Sequence, residues 1–285
     1  MNDRNFRQLL EVQWSRGNFV CVGLDSDYEK IPEVAEMKLF SVGGKITSFN
    51  FAIVDATRDL VCAYKLNTAF YEAYGTEGWT ALRQTIEHIH RVTPDVPVII
   101  DAKRGDISST NAGYVQMAFE FLQADAITVH PYLGAEALQP FLARVDKGII
   151  VLCRTSNPGA DEFQHMLVAT DWAHDGTMPF YQYVAFKVAK DWNENGNCGV
   201  VVGTTYPEEL REVRGIVGDM PILIPDIGAQ GSDVEKTVTA GKDSRGQGMI
   251  INSSRGIIFA SKGVDFAEAA RRETEKLRDM INEYR

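Results

Sequence analysis

The densest chemistry in this 285-residue chain is the run Asp101-Ala102-Lys103-Arg104-Gly105-Asp106. In a strand, residues two apart face the same side, so Asp101 and Lys103 share a face if the strand continues that far. Asp106 follows a glycine that permits a turn. Lys65 stands in a second apolar run, Leu60–Leu66. An isolated Asp-x-Lys reads more readily as a surface ion pair at a strand end than as a site. Here the apolar run Pro97–Ile100 aims the segment, and Lys65 ends a neighbouring run. Together they predict an array of alternating ammonium and carboxylate groups. Carboxylates beside a lysine keep it protonated despite partial burial. Such a lysine can stabilise negative charge developing on carbon and then donate a proton.

A second constellation is Gly228-Ala229-Gln230-Gly231 together with Ser253-Ser254-Arg255-Gly256. Glycines let backbone N–H groups approach an anion. Arg255 can supply a bidentate charged contact, and Gln230 can donate through its amide. The pair points to a phosphate site. Two further residues stay open between roles. Asp25 either accepts from sugar hydroxyls or caps the segment that follows. Ser156 either reads a base amide or shapes the turn before Pro158. His130 reads as a satisfied polar residue. His88 and His90, two apart on a helix, read as solvated. There is no HExxH, paired CxxC or DxDxDG pattern, so no metal is expected. GxGxxG is absent too, so neither is a dinucleotide cofactor.

The elements that must position these groups are eight short apolar runs rich in β-branched residues. They are Phe19–Leu24, Leu60–Leu66, Pro97–Ile100, Ala126–Val129, Gly148–Leu152, Cys198–Val202, Pro221–Pro225 and Gly248–Ile251. Without strict polar alternation they suit parallel strands buried on both faces. Between them, Gly78–Val92, Thr110–Leu122 and Asp265–Tyr284 carry apolar stripes at helical spacing. The alternation predicts a single (β/α)8 barrel domain over 1–285. A doubly wound open sheet competes, because periodicity does not reveal closure. Asp25, Lys65, Asp101, His130, Arg154 and the two glycine-rich loops all fall at carboxyl ends of runs. In a barrel those ends ring one mouth, where active sites lie, and the last two loops are a common phosphate site. Residues from Asn157 to about Gly176 read as a long irregular insertion at that face, suited to a site wall or lid.

Composition bounds the function. Apolar residues make up 45% and charged residues 24%, ordinary for a globular protein, and the formal net charge is −10. That balance disfavours nucleic acid and anionic membrane as partners but permits a small anionic substrate where cations converge. The four cysteines, Cys21, Cys62, Cys153 and Cys198, lie in or beside apolar runs and read as buried free thiols. The N-terminus has no signal-like apolar stretch, and no run reaches the roughly 18 apolar residues of a membrane span. A cytoplasmic protein is expected.

These motifs resemble the orotidine 5′-monophosphate decarboxylase family. The likeness runs from Val22–Asp25 to Ser253–Ile257, and its most specific element is Ile99–Thr110, an Asp-x-Lys-x-x-Asp core followed by a threonine four residues on. The segments around Lys65, Leu152–Ala160, Val201–Leu210 and Ile227–Gly231 resemble the longer bacterial branch, unfused to a phosphoribosyltransferase. The resemblance implies a homodimeric barrel without metal or cofactor. Lys65, Asp101 and Lys103 would form the array, with Asp106 and Thr110 reaching the neighbouring subunit's site. Asp25 would meet the ribose, Ser156 the pyrimidine, and Gln230 and Arg255 the phosphate. Asp226 and Ser232 depart from the family, which carries glycines there. The implied activity is decarboxylation of orotidine 5′-monophosphate to uridine 5′-monophosphate. A magnesium-dependent sugar-phosphate decarboxylase or aldolase on a related barrel, and a non-catalytic nucleotide-binding protein, are the competing readings.

Overall fold

A computed structural model describes residues 4–34, 41–173, 175–225, 227 and 231–285. Eight parallel strands close into a barrel in sequence order. They are β1 (Val20–Gly23), β2 (Val61–Asn67), β3 (Val98–Arg104), β4 (Ala126–Val129), β5 (Gly148–Arg154), β6 (Cys198–Val202), β7 (Ile222–Ile224) and β8 (Met249–Ser253). β8 pairs with β1 through Val20 opposite Ile251, which closes the ring and rules out the open sheet. All eight expected strands are present. Those carrying chemistry run further than their apolar cores: β3 continues to Arg104 and β5 to Arg154. Lys65, Asp101 and Lys103 are therefore held by strand backbone, whereas Asp25 and Ser156 follow the ends of β1 and β5.

Apolar residues on both faces of each strand explain the burial. Val20–Gly23, Ala126–Val129 and Cys198–Val202 are buried throughout. All four cysteines are buried and unpaired. The helix Phe266–Tyr284 buries Phe266, Ala269, Leu277 and Ile281, the stripe read from the sequence. The helix Gly75–Val92 buries Leu82, Ile86 and Ile89, but also His88.

His88 is not solvated. Its Nε2 lies 2.8 Å from Asp55 Oδ1, Arg91 bonds its Nδ1, and its ring stacks on Phe51 at 3.9 Å. His90 is also drawn in, 3.5 Å from the buried carboxylate of Asp125. A helix packed on two neighbours has more than one inward stripe, so residues off the main apolar face still meet protein.

The helix expected at Thr110–Leu122 divides. Ser108–Val115 is α-helical, and Gln116–Phe121 continues as a π-helical turn. The wider turn rotates the following side chains. Phe119 is thereby buried, while Phe121 is left 53% exposed beside the Arg83 guanidinium.

The insertion after β5 is also more ordered than expected. Pro158–Ala160 forms a 3₁₀ turn, Asp161–Gln164 a helical turn, and Leu167–Ala169 pairs antiparallel with Thr177–Pro179. Arg154, at the end of β5 and almost wholly buried, fastens it. Its guanidinium reaches Glu209 at 2.6 Å and Asp161 at 2.8 Å.

A helix missed in the sequence, Phe6–Ser15, seals the amino-terminal floor of the barrel. Trp14 Nε1 donates to Met249 O at 2.9 Å. Phe6 packs so closely on Gly148 that a Cβ there would stand 2.2 Å from its ring, which is why β5 begins on glycine.

Candidate active site

The mouth of the barrel holds the charged array. Lys65 from β2 lies 3.3 Å from Asp25 Oδ1 and 3.3 Å from Asp101 Oδ2. Asp101 Oδ1 accepts Lys103 Nζ at 2.6 Å. The order in space is Asp25, Lys65, Asp101, Lys103: the alternation expected of Lys65, Asp101 and Lys103 is present, and Asp25, not expected in the array, extends it. The two lysines differ in solvation. The Lys65 side chain is 5% exposed, whereas that of Lys103 is 49% exposed. Lys65 is a fixed internal counter-ion, and Lys103 is the ammonium offered to the cavity.

Electrostatics follow from this placement. Burial works against charge on Lys65, but Asp25 and Asp101 outweigh it and hold the amine above its ordinary pKa. Burial likewise works against ionised Asp101. Lys65, Lys103 and the Thr128 hydroxyl prevail, and its carboxyl sits at about 2. Lys65 and Asp101 thus face each other as ammonium and carboxylate, both buried, where charges act more strongly than in water.

Asp101 and Lys103 converge by a route that regular alternation does not supply. Between the pairings Ile100–Ile127 and Arg104–Val129, β3 bulges against β4. Lys103 adopts φ +47°, a left-handed conformation that is rare for a residue bearing a Cβ. Its N–H is taken by Thr128 Oγ1 at 2.9 Å, and the same hydroxyl donates to Asp101 Oδ1 at 2.9 Å. The sequence reading missed Thr128. Its only signal was a polar residue inside the apolar run of β4, two before His130.

The array lines an open cavity of about 440 Å³, a size suited to a nucleotide-sized ligand. Asp25, Lys65, Asp101, Lys103 and Ser156 all border it. Asn67 and Asn252 border it as well and were not anticipated. Asn67 follows Lys65 by two in β2, so period-two alternation could have found it.

Asp106, Thr110 and Arg255 are not among the cavity's lining residues. The Asp106 carboxylate accepts the Ile107 N–H and, among the described residues, makes no ion pair with the array. Its loop is rigid: Asn111, fully buried, accepts the Asp106 N–H and donates to Asp106 O and Ala137 O. Gly105 fits beneath His130, whose Nε2 lies 2.9 Å from Gly105 O; a Cβ on Gly105 would stand 2.5 Å from that ring. His130 is thus a satisfied polar residue. Thr110 is exposed on the helix that follows. Arg255 is exposed at the start of the short helix Arg255–Ile258, beyond β8, beside a smaller cavity of about 180 Å³. Gln230 and Asp226 lie outside the described residues, as does the side chain of Ser232. Among the described residues no group of three or more His, Cys, Asp or Glu is arranged to hold a metal ion.

The chain is 51% identical over 281 residues to the orotidine 5′-phosphate decarboxylase of Ralstonia pickettii (strain 12J), covering 98% of this chain and 99% of that one. It is 50% identical over 281 residues to the orotidine 5′-phosphate decarboxylase of Cupriavidus necator, covering 98% of each. Its fold superposes on the Leishmania donovani OMP decarboxylase with a TM-score of 0.81 at 34% identity, covering 97% of this chain and 98% of that one. The orotidine 5′-phosphate decarboxylase / HUMPS family profile matches residues 18–271, a span that contains every strand of the barrel and all four members of the array. With the family profile matched over most of its length and half its residues identical to those of full-length bacterial relatives, the chain belongs to the orotidine 5′-phosphate decarboxylase family.

Proposed function

We propose that this chain decarboxylates orotidine 5′-monophosphate to uridine 5′-monophosphate in pyrimidine synthesis, without metal or cofactor. One observation carries the reading: a half-exposed ammonium, Lys103, held 2.6 Å from a buried ionised carboxylate at the mouth of a barrel shared with decarboxylases. Loss of carbon dioxide from carbon 6 of the pyrimidine leaves a carbanion with little resonance help. Lys103 stabilises that charge as it forms and then delivers its proton to carbon 6. Asp101, held in turn by Lys65, keeps the Lys103 ammonium aimed. Asp25 takes the ribose, Ser156 the pyrimidine, and Gln230 with Arg255 the phosphate. The distant phosphate contributes binding energy that is realised at the reacting carbon.

The working unit is a homodimer of single-barrel chains in the cytoplasm, with Asp106 and Thr110 completing the neighbour's site. The Asp106 carboxylate, turned from its own array on a rigid loop, supports this. So does the apolar surface of the adjoining loops, where Ile107 is 58% and Tyr132 83% exposed.

The direct test follows loss of the orotate chromophore with purified protein in EDTA. Steady consumption is expected; none would refute the activity. Mixing inactive Lys103→Ala and Asp106→Asn chains tests the shared site. Random pairing should restore roughly a quarter of the sites if Asp106 serves its neighbour, and none if it serves its own chain.

A further inference from the structure

We infer that Thr128 is a positioning residue for the decarboxylation, its hydroxyl setting the geometry of the Asp101–Lys103 pair. The inference rests on the functional reading above and goes beyond the residues of the array. Three residues of β3, Asp101 to Lys103, stand opposite Thr128 alone in β4. A regular ladder cannot satisfy that mismatch. The Thr128 hydroxyl, almost wholly buried, replaces the missing ladder contact. It accepts the Lys103 N–H at 2.9 Å and donates to Asp101 Oδ1 at 2.9 Å.

Both contacts bear on chemistry. The Lys103 backbone is left-handed, a conformation that persists only where its surroundings enforce it. The accepted N–H is one such enforcement. The Asp101 oxygen that takes the Thr128 proton is also the one that holds Lys103 Nζ at 2.6 Å. When Lys103 passes a proton to carbon 6 its amine becomes neutral, and Asp101 Oδ1 loses its cationic neighbour. The hydroxyl bond remains and keeps the carboxylate in place and ionised until Lys103 is reprotonated from solvent. Valine at 128 would preserve shape and burial while removing both bonds.

The experiment compares wild type with Thr128→Val, Thr128→Ser and Thr128→Cys in kcat, KM, thermal midpoint and affinity for uridine 5′-monophosphate. Small displacements of a reacting group are costly, so kcat of Thr128→Val should fall on the order of 10- to 100-fold. Product affinity should stay within about 3-fold, because the ligand-facing groups are retained. Serine should restore kcat to within about 3-fold of wild type, as it rebuilds both bonds. The acid limb of the kcat profile should move to higher pH in Thr128→Val and return in Thr128→Ser, since the hydroxyl helps hold Asp101 ionised. If the valine variant does not fold, the serine–cysteine contrast carries the test, with cysteine impaired and serine intact. An inactive wild type overturns the functional reading and this inference with it. An active wild type with unchanged Thr128→Val overturns this inference alone. Serine as impaired as valine, or losses in product affinity and thermal midpoint that track the loss of kcat with no shift of the acid limb, would make Thr128 merely structural and also overturn it.

Discussion

Two buried aspartates, Asp101 at the mouth of the barrel and Asp125 at its floor, hold a negative charge by different means. Burial opposes ionisation of both, and in both the local partners prevail, leaving the carboxyl at about 2. Asp125 is closed. Arg4 grips it with two bonds of 2.8 and 2.7 Å, the Val98 N–H donates at 2.8 Å, and no surface of its side chain remains. The rigid fork of a guanidinium suits a bond meant never to change. Asp101 is open. Its partners include an ammonium on a flexible stem that is half in solvent and can approach a ligand. Equal acidity therefore does not mean equal purpose; what separates the two is whether the counter-ion can leave. A perturbed carboxylate is a functional candidate only when its partner has somewhere to go.

Breaking each end should have opposite consequences. Asp125→Asn strands Arg4 against a neutral side chain, and breaking a buried pair costs about 3–5 kcal/mol. The thermal midpoint should fall by roughly 10 °C, at some 2–4 °C per kcal/mol for a chain of this size, while kcat per folded molecule stays within about 3-fold. A stable, inactive variant would reverse the assignment of the floor. Asp101→Asn should lower kcat by about 100-fold or more, worth roughly 2.7 kcal/mol of barrier, and move the thermal midpoint far less than Asp125→Asn does. Stability loss without kinetic loss would reduce the mouth to a second floor.

Acid sharpens the comparison further. Both carboxyls titrate at about 2 when folded and near 3.9 when unfolded, so the native state binds fewer protons between these values. Their stabilisation, roughly 2 kcal/mol each, is fully present above the unfolded value and is lost as pH falls through about 2. Urea unfolding at pH 5 and pH 3 should show this decline. Asp125→Asn, already less stable at pH 5, should decline less between the two pH values than wild type. An equal decline would mean that Asp125 is not ionised against Arg4 in the folded protein.

The mouth was largely legible in the sequence and the floor was not. Lys65, Asp101 and Lys103 announce themselves because each is an ionisable residue continuing an apolar run, and strand direction then fixes the end of the barrel at which they emerge. Asp125 lies just before such a run, where an acidic residue looks like ordinary loop. Its partner Arg4 is 121 residues away, beyond the reach of any local pattern. The helix Phe6–Ser15 was obscured by its polar residues, although it buries Phe6, Leu10 and Trp14. Within the mouth, the bulge at Asp101–Lys103 and the hydroxyl of Thr128 were hidden because alternation describes regular strands, and this strand is irregular where the chemistry sits. Arg154 read as one more polar strand end; its burial depends on Glu209 and Asp161, which arrive from two other segments.

The claim that most needs testing is that the open ammonium does the chemistry. Wild type and Lys103→Ala should be compared for single-turnover loss of orotidine 5′-monophosphate and, in parallel, for affinity toward uridine 5′-monophosphate. An interaction made mainly in the transition state predicts that turnover falls by more than about 100-fold while product affinity changes by only a few-fold. A Lys103→Ala protein that keeps more than about a tenth of wild-type turnover would contradict the account, because no other described ammonium is both paired to Asp101 and open to the cavity.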